Sequence, residues 1–254
     1  MGKIVAVHSF RGGTGKSNIV ANIATCIACK GKRVGIVDTD IQSPGIHVLF
    51  GFEPESMGKT LNDYLWGKCG IEEAAKDVTK NLAGVEEAGG KVYLIPSSMK
   101  MGEIARILKE GYEVSLLNDG FTEAIRALNL DFLFIDTHPG IGEETLLSLA
   151  IADISLIILR PDNQDYQGTS VTLEVCRRLE VPNLFLVMNK VLQTYDFEKV
   201  KHDIENVYKC DVAGVLPQSD DLIEIGSKEI FYLNHREHPF SQGIEEIAER
   251  ILNV

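Results

Sequence analysis

Cysteine and long apolar runs are both scarce in this chain of 254 residues. The five cysteines are an odd number and lie scattered, which argues against a framework of paired disulfides. One C-x-x-C pair, Cys26 and Cys29, lies in a predicted helix; without a second pair, it favours structural thiols over a metal site. The longest apolar run, residues 146–159, is broken by Asp153 and is too short for a membrane span.

Positive charge is scarce as well, with 25 Lys and Arg against 37 Asp and Glu and a formal net charge of −12. A broad basic face for nucleic acid is therefore not expected. A local basic patch stays open in the C-terminal half, where solvated surface is favoured over nonspecific DNA contact. Its members are Arg177, Arg178, Lys190, Lys199, Lys201 and Lys209.

The remaining composition, 44% hydrophobic and 24% charged, is that of an ordinary globular protein. We expect one domain over residues 1–254. The first predicted strand begins near residue 3 and leaves no room for a signal or transit peptide, so we expect a cytoplasmic protein that does not bind membranes.

Short apolar runs alternate with helix-patterned segments along the chain. The predicted strands are 4–8, 33–38, 92–96, 132–136, 155–159, 184–189 and 212–216. Near-continuous apolar runs of this length are typical of parallel strands buried on both faces. The pattern predicts a doubly wound α/β fold, with a mostly parallel sheet, helices on both faces and a ligand at the carboxyl ends of the strands. The irregular segment 53–90, with helical pieces at 60–66 and 71–78, is expected to cover one sheet edge.

The best-defined motif runs from Phe10 to Ser17, between the first strand and a helix-patterned run over 18–30. A strand, a glycine-rich turn and Gly-Lys-Ser at a helix start form the layout of a phosphate-binding loop. Glycines let backbone N–H groups surround an anion, and the helix N-terminus adds its positive dipole end. We expect Lys16 to reach the phosphates and the Ser17 hydroxyl to hold Mg²⁺. The predicted nucleotide-binding residues here are Gly12, Gly13, Thr14, Gly15, Lys16, Ser17 and Asn18.

The loop departs from the strict pattern, since Phe10 stands where its first glycine would be. It resembles the deviant form K-G-G-x-G-K-[ST] of the ParA/MinD family of P-loop ATPases, with Arg11 in place of the first lysine. The resemblance implies ATP and Mg²⁺ as cofactors and an ATP-bound sandwich dimer, in which Arg11 reaches the nucleotide of the partner subunit. A guanidinium group suits bidentate phosphate contact.

Carboxylates follow two of the predicted strands. Asp38 and Asp40 end the second strand and project into the crevice where the phosphates are expected, although aspartates in such positions also cap turns. By resemblance, Asp40 serves the Mg²⁺ water shell and the attacking water, and Asp38 supports it. Asp136 ends an apolar strand in the manner of a Walker B aspartate, which anchors Mg²⁺.

The segment after Asp136, residues 137–142, resembles the second switch of the family, and this likeness places the N–H of Gly140 near the γ-phosphate. His138 is interpreted as a bystander rather than a general base, because phosphoryl transfer needs mainly positioning and charge.

Recognition of the base is assigned to Asn189 and Pro217. Leu192 occupies the position of the aspartate that reads guanine in [NT]-K-x-D, so adenine is favoured. The Asn189 amide can hydrogen-bond an adenine edge. Pro217 belongs to a G-x-[IL]-P element that resembles the family's base pocket.

The last predicted helix, 241–252, carries one apolar stripe and a mostly acidic opposite face. A membrane-surface helix carries basic residues there, so we expect this helix to pack on the core. The resemblance therefore points to a soluble ParA-like or carboxysome-distribution branch, without the lipid-binding tail of MinD.

The leading hypothesis is an Mg²⁺-dependent ATPase that dimerises on ATP and positions intracellular cargo, with slow hydrolysis stimulated by an adaptor protein. Nonspecific DNA is a possible matrix but is not assumed. The alternatives are a weakly hydrolysing ATP-sensing scaffold, an iron–sulfur carrier, which lacks cysteine within residues 136–142, and a small-molecule kinase or ligase.

Overall fold

Eight strands form one sheet within residues 2–254, the part of the chain that this computed structural model describes. The strands are β1 (Lys3–His8), β2 (Arg33–Asp38), β3 (Lys76–Asp77), β4 (Lys91–Ile95), β5 (Phe132–Asp136), β6 (Ile154–Leu159), β7 (Asn183–Val191) and β8 (Val212–Pro217). Their order across the sheet is β3-β4-β2-β5-β1-β6-β7-β8. Every neighbouring pair is parallel except β3 and β4.

Helices cover both faces of this sheet. They are α1 (Lys16–Ala28), α2 (Leu61–Leu65), α3 (Ile71–Ala74), α4 (Met101–Glu110), α5 (Ser115–Ala127), α6 (Glu143–Ala150), α7 (Asn163–Arg178), α8 (Phe197–Tyr208), α9 (Asp220–Ile225), α10 (Phe231–Asn234) and α11 (Pro239–Leu252). The core on one face contains α1, α10 and α11, and the core on the other contains α5, α7 and α8. The predicted doubly wound α/β fold is confirmed.

The seven predicted strands are present with small shifts of their ends, but the edge strand β3 was not predicted. The helix expected over 71–78 ends at Ala74, because Lys76 and Asp77 pair antiparallel with Leu94 and Tyr93 of β4. A strand of two residues is too short to show any period in sequence. The segment 53–90 nevertheless covers the β4 edge, as expected.

The strand order brings the predicted site residues to one edge. Strand β5 lies between β2 and β1, and all three run in the same direction, so their carboxyl ends meet. Asp38 of β2 lies directly opposite Asp136 of β5 in the register, and Val7 of β1 lies opposite Asp136 on the other side. The loop that follows β1 therefore sits above both carboxylates.

Helix α11 packs on the sheet through the predicted apolar stripe. Ile244, Ile247 and Ile251 are fully buried, and they join the core that contains α1. On the outer side, Glu245 accepts a hydrogen bond of 2.7 Å from the Tyr232 hydroxyl. The expectation that this helix packs on the core is confirmed. Of the helices within residues 2–254, none has the length and apolar character needed to cross a lipid bilayer.

Candidate nucleotide-binding site

The glycine-rich loop between β1 and α1 is folded back over the strand ends. Gly13 and Gly15 have φ angles of +77° and +90°, which side chains rarely adopt, so the loop requires glycine at both positions. A Cβ at Gly15 would also lie 2.6 Å from Nδ2 of Asn189. The hydroxyl Oγ1 of Thr14 is buried within the protein and has no hydrogen-bond partner. An unpaired buried hydroxyl at a helix N-terminus fits a phosphate oxygen.

Lys16 and Asp136 form a buried ion pair beneath this loop. Nζ of Lys16 lies 2.5 Å from Oδ1 of Asp136, and the two side chains are 7% and 1% exposed. Asp38 lies beside them and is fully buried. Burial, together with the neighbouring charge of Asp136, raises the pKa of Asp38 well above its ordinary value. The raised pKa favours the protonated form of Asp38 in this structure, and a cation bound at this edge of the sheet would favour its ionised form.

Asp40 lies in a tight turn after β2. Its Oδ1 accepts hydrogen bonds of 3.1 Å from both the N–H and the hydroxyl of Ser43, while its own N–H donates to Asp38. Oδ1 also lies 2.7 Å from Nδ1 of His138. His138, interpreted from sequence as a bystander, therefore contacts a predicted catalytic residue. No sequence signal indicated this contact, because it joins positions 98 residues apart.

Arg11, the cation of the deviant loop, is held by the start of α7. Its NH1 lies 3.6 Å from Asp162 and 3.7 Å from Asp165, and its side chain remains 40% exposed. Arg160 also binds Asp165, through bonds of 2.8 and 3.1 Å. Burial would raise the pKa of Asp165, but the hydrogen bonds from Arg160 hold it below its ordinary value. Arg11 thus contacts two carboxylates of its own chain at the start of α7.

The loop after β5 closes one side of the site. The N–H of Gly140, predicted to face the γ-phosphate, donates to the Ser9 carbonyl at 3.3 Å. Contact with a phosphate would require this N–H to leave Ser9. Pro139 lines the cavity of about 270 Å³ at the glycine-rich loop. Most of the predicted phosphate and metal residues share that lining, namely Gly12, Gly13, Thr14, Gly15, Lys16, Ser17, Asn18 and Asp40.

A second cavity, of about 410 Å³, adjoins the first and shares Gly15, Asn18 and Ser227 with it. Asn189 and Pro217, the predicted base residues, line this cavity. Leu192 is 46% exposed at the protein surface. The sequence did not indicate the apolar wall, which comes from Ile19, Leu222, Ile223 and Phe240. An elongated space with a polar end and an apolar end fits a nucleotide, with phosphates at the loop and the base against the apolar wall.

Two residues at the end of β7 donate hydrogen bonds to the backbone of the glycine-rich loop. Nδ2 of Asn189 donates to the Thr14 carbonyl at 2.7 Å, and Nζ of Lys190 donates to the Gly13 carbonyl at 2.9 Å. Lys190 has a positive φ of 59°, at an irregularity in the pairing of β7 with β8. Lys190 is exposed, as expected for a member of the solvated basic patch, and its contact with the phosphate loop is an addition that the sequence did not indicate.

The cysteines do not form a metal centre. Cys26 is buried in α1 beside Tyr232, and burial raises the pKa of its thiol to about 11. Cys29 is partly buried and accepts a hydrogen bond from Arg236. Within residues 2–254 there is no group of three or more His, Cys, Asp and Glu side chains placed to hold a metal ion. The donors available for Mg²⁺ are instead the Ser17 hydroxyl and carboxylate oxygens, which suit a hard cation that keeps part of its water shell.

A parallel sheet with a glycine-rich loop between β1 and α1, and with carboxylates after β2 and β5, defines a P-loop nucleotide-binding protein. The sequence model of the ParA family, described as NUBPL iron-transfer P-loop NTPase, matches residues 1–252. The chain belongs to this family.

Individual relatives match over nearly the whole chain. The identity is 27% to the uncharacterized ATP-binding protein MJ0547 of Methanocaldococcus jannaschii, over 98% of this chain and 88% of that protein. It is 28% to the flagellum site-determining protein YlxH of Helicobacter pylori, over 97% and 80% respectively. It is 23% to an iron–sulfur cluster carrier protein of Aquifex aeolicus, over 99% and 67%.

The fold has a close counterpart among solved structures. The septum site-determining protein MinD of Pyrococcus horikoshii, complexed with Mg-ADP, superposes with a TM-score of 0.81 over 99% of this chain and 96% of that one. The two sequences are 17% identical, so this likeness concerns the fold. The ParA/MinD assignment made from the loop motif is confirmed.

Proposed function

We propose that this protein is a cytoplasmic Mg²⁺-dependent ATPase, which dimerises around ATP and positions intracellular cargo. The observation that carries the proposal is the cavity that Lys16, Ser17 and Asp40 line, with Arg11 directly before Gly12 of that lining and 40% exposed. The remainder of the site agrees with a nucleotide, because the second cavity continues from the first toward Asn189 and Pro217.

Each residue has a distinct task in the proposed reaction. The loop N–H groups and Lys16 bind the phosphates, which requires Lys16 to leave its ion pair with Asp136. Once released from Lys16, Asp136 would hold Mg²⁺ together with the Ser17 hydroxyl, and the ion would supply charge stabilisation to the transferred phosphoryl group. Asp40 orients the attacking water from the wall of the cavity.

Arg11 would act on the nucleotide of the partner subunit. Its guanidinium group is exposed and is held only by contacts of 3.6 and 3.7 Å with Asp162 and Asp165, so it can be released toward a second copy. A cation supplied in this way contributes roughly 10³- to 10⁵-fold in rate where it operates. Without it, slow hydrolysis by one subunit is expected.

The relatives indicate the class of function, positioning of a cellular structure, but not the particular cargo. YlxH is named for determining the site of the flagellum and MinD for determining the septum site, which supports a positioning role. We expect an adaptor protein to stimulate the slow hydrolysis. Nonspecific DNA remains a secondary possibility. Arg177 and Lys190, two members of the candidate basic patch, already donate hydrogen bonds to the carbonyls of Tyr208 and Gly13.

The test is the molar mass in solution by light scattering, with Mg-ADP and with a slowly hydrolysed Mg-ATP analogue. We expect a monomer with ADP, a dimer with the analogue, and no dimer for Arg11→Ala. Lys30→Ala, which removes a cation in the turn after α1 from its pair with Glu249 of α11, is the matched control and should dimerise normally. An unchanging mass would contradict the dimer switch and favour the weakly hydrolysing scaffold, which phosphate release with and without an adaptor would then examine.

Iron–sulfur transfer is the second candidate, because the family description names iron transfer and the Aquifex aeolicus relative is named an iron–sulfur cluster carrier. The C-x-x-C pair does not fit a cluster as cargo, since Cys26 is buried and Cys29 is bound by Arg236. Anaerobic incubation with iron and sulfide should therefore leave the protein without cluster absorbance. A stoichiometric cluster would restore this candidate.

A further inference from the structure

Two loops meet at the rim of the phosphate cavity through one side-chain contact. We define switch I as residues 39–45, after β2, and switch II as residues 137–142, after β5. Asp40 of switch I and His138 of switch II lie 2.7 Å apart, between Oδ1 and Nδ1. A carboxylate only accepts hydrogen bonds, so Nδ1 carries the proton and donates it. Both side chains are partly shielded, with exposures of 14% for Asp40 and 36% for His138.

The two carboxylate oxygens of Asp40 differ in their hydrogen bonds. Oδ1 accepts from His138 and from the N–H and hydroxyl of Ser43. Oδ2 takes part in none of these bonds. Because Asp40 lines the phosphate cavity, its second oxygen remains available to a water or a hydrated cation there. Three donors on Oδ1 fix the rotamer of the carboxylate, and charge-assisted hydrogen bonds of this kind are the stronger class.

His138 itself stands outside the cavity. The lining includes its neighbour Pro139 and its partner Asp40, but not His138. The Thr145 hydroxyl donates to the His138 carbonyl at 3.4 Å, which connects this residue to α6. The ring is therefore placed to act on Asp40 rather than on a reacting phosphate.

We propose that His138 is a positioning residue, which fixes the Asp40 carboxylate and makes switch I and switch II move as one unit. Only one part of this inference rests on the proposed function, namely that the fixed Asp40 carboxylate acts on a bound nucleotide. The coupling of the two loops is a property of the protein without nucleotide. A general base would instead have to reach the cavity.

Hydrogen–deuterium exchange of the nucleotide-free protein tests the coupling directly. Loss of one charge-assisted hydrogen bond should speed exchange over residues 39–45 about threefold to tenfold in His138→Ala. His138→Asn, whose amide can donate from nearly the same place as Nδ1, should restore the slow rate. His202→Ala, which removes an exposed histidine on α8, should change nothing. Equal exchange in the wild type and His138→Ala, with an unchanged melting temperature, would overturn the proposal.

A cycle with Asp40 separates positioning from general destabilisation. In an Asp40→Ala background, His138→Ala should add no further increase in exchange over residues 39–45. Additive increases would mean that His138 acts through another contact, and would overturn the proposal. The consequence for the nucleotide is tested by the Mg²⁺ concentration needed for half-maximal binding of a fluorescent ATP analogue, which should rise several-fold in His138→Ala and not in His138→Asn. Failure of all variants and the wild type to bind the analogue would contradict the proposed function while leaving the exchange result to judge the coupling.

Discussion

In this structure, Lys16 and Asp136 bind each other instead of the phosphate and the Mg²⁺ that they are expected to bind. The ammonium group expected to bind phosphate lies 2.5 Å from the carboxylate expected to anchor Mg²⁺, and both are buried. Such a pair compensates two charges that would otherwise be costly inside the protein. When nucleotide and metal bind, Lys16 would pair with phosphate and Asp136 with Mg²⁺ in place of each other. The ion pair thus keeps both charges compensated until nucleotide and metal bind.

The first prediction concerns removal of this lysine. Lys16→Ala leaves Asp136 buried without a cation beside Asp38, and should lower the free energy of unfolding by about 3 kcal/mol. Adding Asp136→Asn should recover much of that stability but no nucleotide binding. Urea unfolding and titration with a fluorescent ATP analogue measure the two effects. Lys30→Ala, in an exposed pair, should cost under about 0.5 kcal/mol. Equal urea midpoints of unfolding for Lys16→Ala and the wild type would show that the ion pair contributes nothing to stability.

A second prediction follows from the packing of Phe10 against α7. A Cβ at Gly168 would lie 2.1 Å from the Phe10 ring, so Gly168→Ala must displace the start of the phosphate loop. Overpacking of this kind should cost about 1–3 kcal/mol, and nucleotide affinity should fall several-fold. Gly102→Ala in α4 is the matched control, because a Cβ there meets nothing within 4 Å. It should be neutral or stabilise the protein by up to about 1 kcal/mol. Similar behaviour of the two variants would contradict the role of Phe10.

Much of the fold was predictable because burial on both faces leaves a strong apolar signal. All five residues of β5 are buried, for example, and the run 132–136 was predicted with its observed ends. The phosphate loop was predictable for another reason: its glycines, Lys16 and Ser17 act through local backbone geometry. The single-domain boundary and the roles of the individual site residues stay predictions.

The parts that sequence did not reveal depend on distant contacts. Arg11 meets Asp162 only because β1 and β6 are neighbours in the sheet, and His138 meets Asp40 only because β5 lies beside β2. Lys190 reaches the phosphate loop through an irregularity of pairing that leaves no pattern in composition. Each of these positions carries a charged or titratable side chain whose partner is set by topology.

The third prediction concerns the base cavity. Asn189→Ala removes the hydrogen bond to the Thr14 carbonyl and the amide beside Gly15, so the loop loses a support and the base loses a partner. Affinity for an ATP analogue should fall about tenfold, as expected for an unpaired buried acceptor. Leu192→Ala, at an exposed position, should bind as the wild type does. Competition with GTP should show that the wild type prefers ATP. Undiminished affinity in Asn189→Ala would remove this residue from the site.

The fourth prediction uses His8, a fully buried histidine at the end of β1. Its Nδ1 donates to Thr137 Oγ1 at 2.8 Å, and its Nε2 has no partner. Burial, with smaller contributions from the charges of Lys16 and His138, lowers the pKa of His8 from 6.5 to about 3. Below pH 6.5, His8 is therefore protonated in the unfolded chain but stays neutral in the folded protein.

Stability is thus expected to fall as the pH drops below 6.5, at about 1.4 kcal/mol per pH unit from His8 alone. His8→Asn keeps a donor for Thr137 but does not titrate. It is expected to be the less stable protein at pH 7.5, since the smaller side chain packs less well. Between pH 7.5 and pH 5.5, however, its stability relative to the wild type should improve by about 1.4 kcal/mol. Urea unfolding at both pH values measures this change, and His202→Asn, on the exposed surface, should track the wild type. A constant difference between His8→Asn and the wild type would mean that His8 takes up its proton in the folded protein as well.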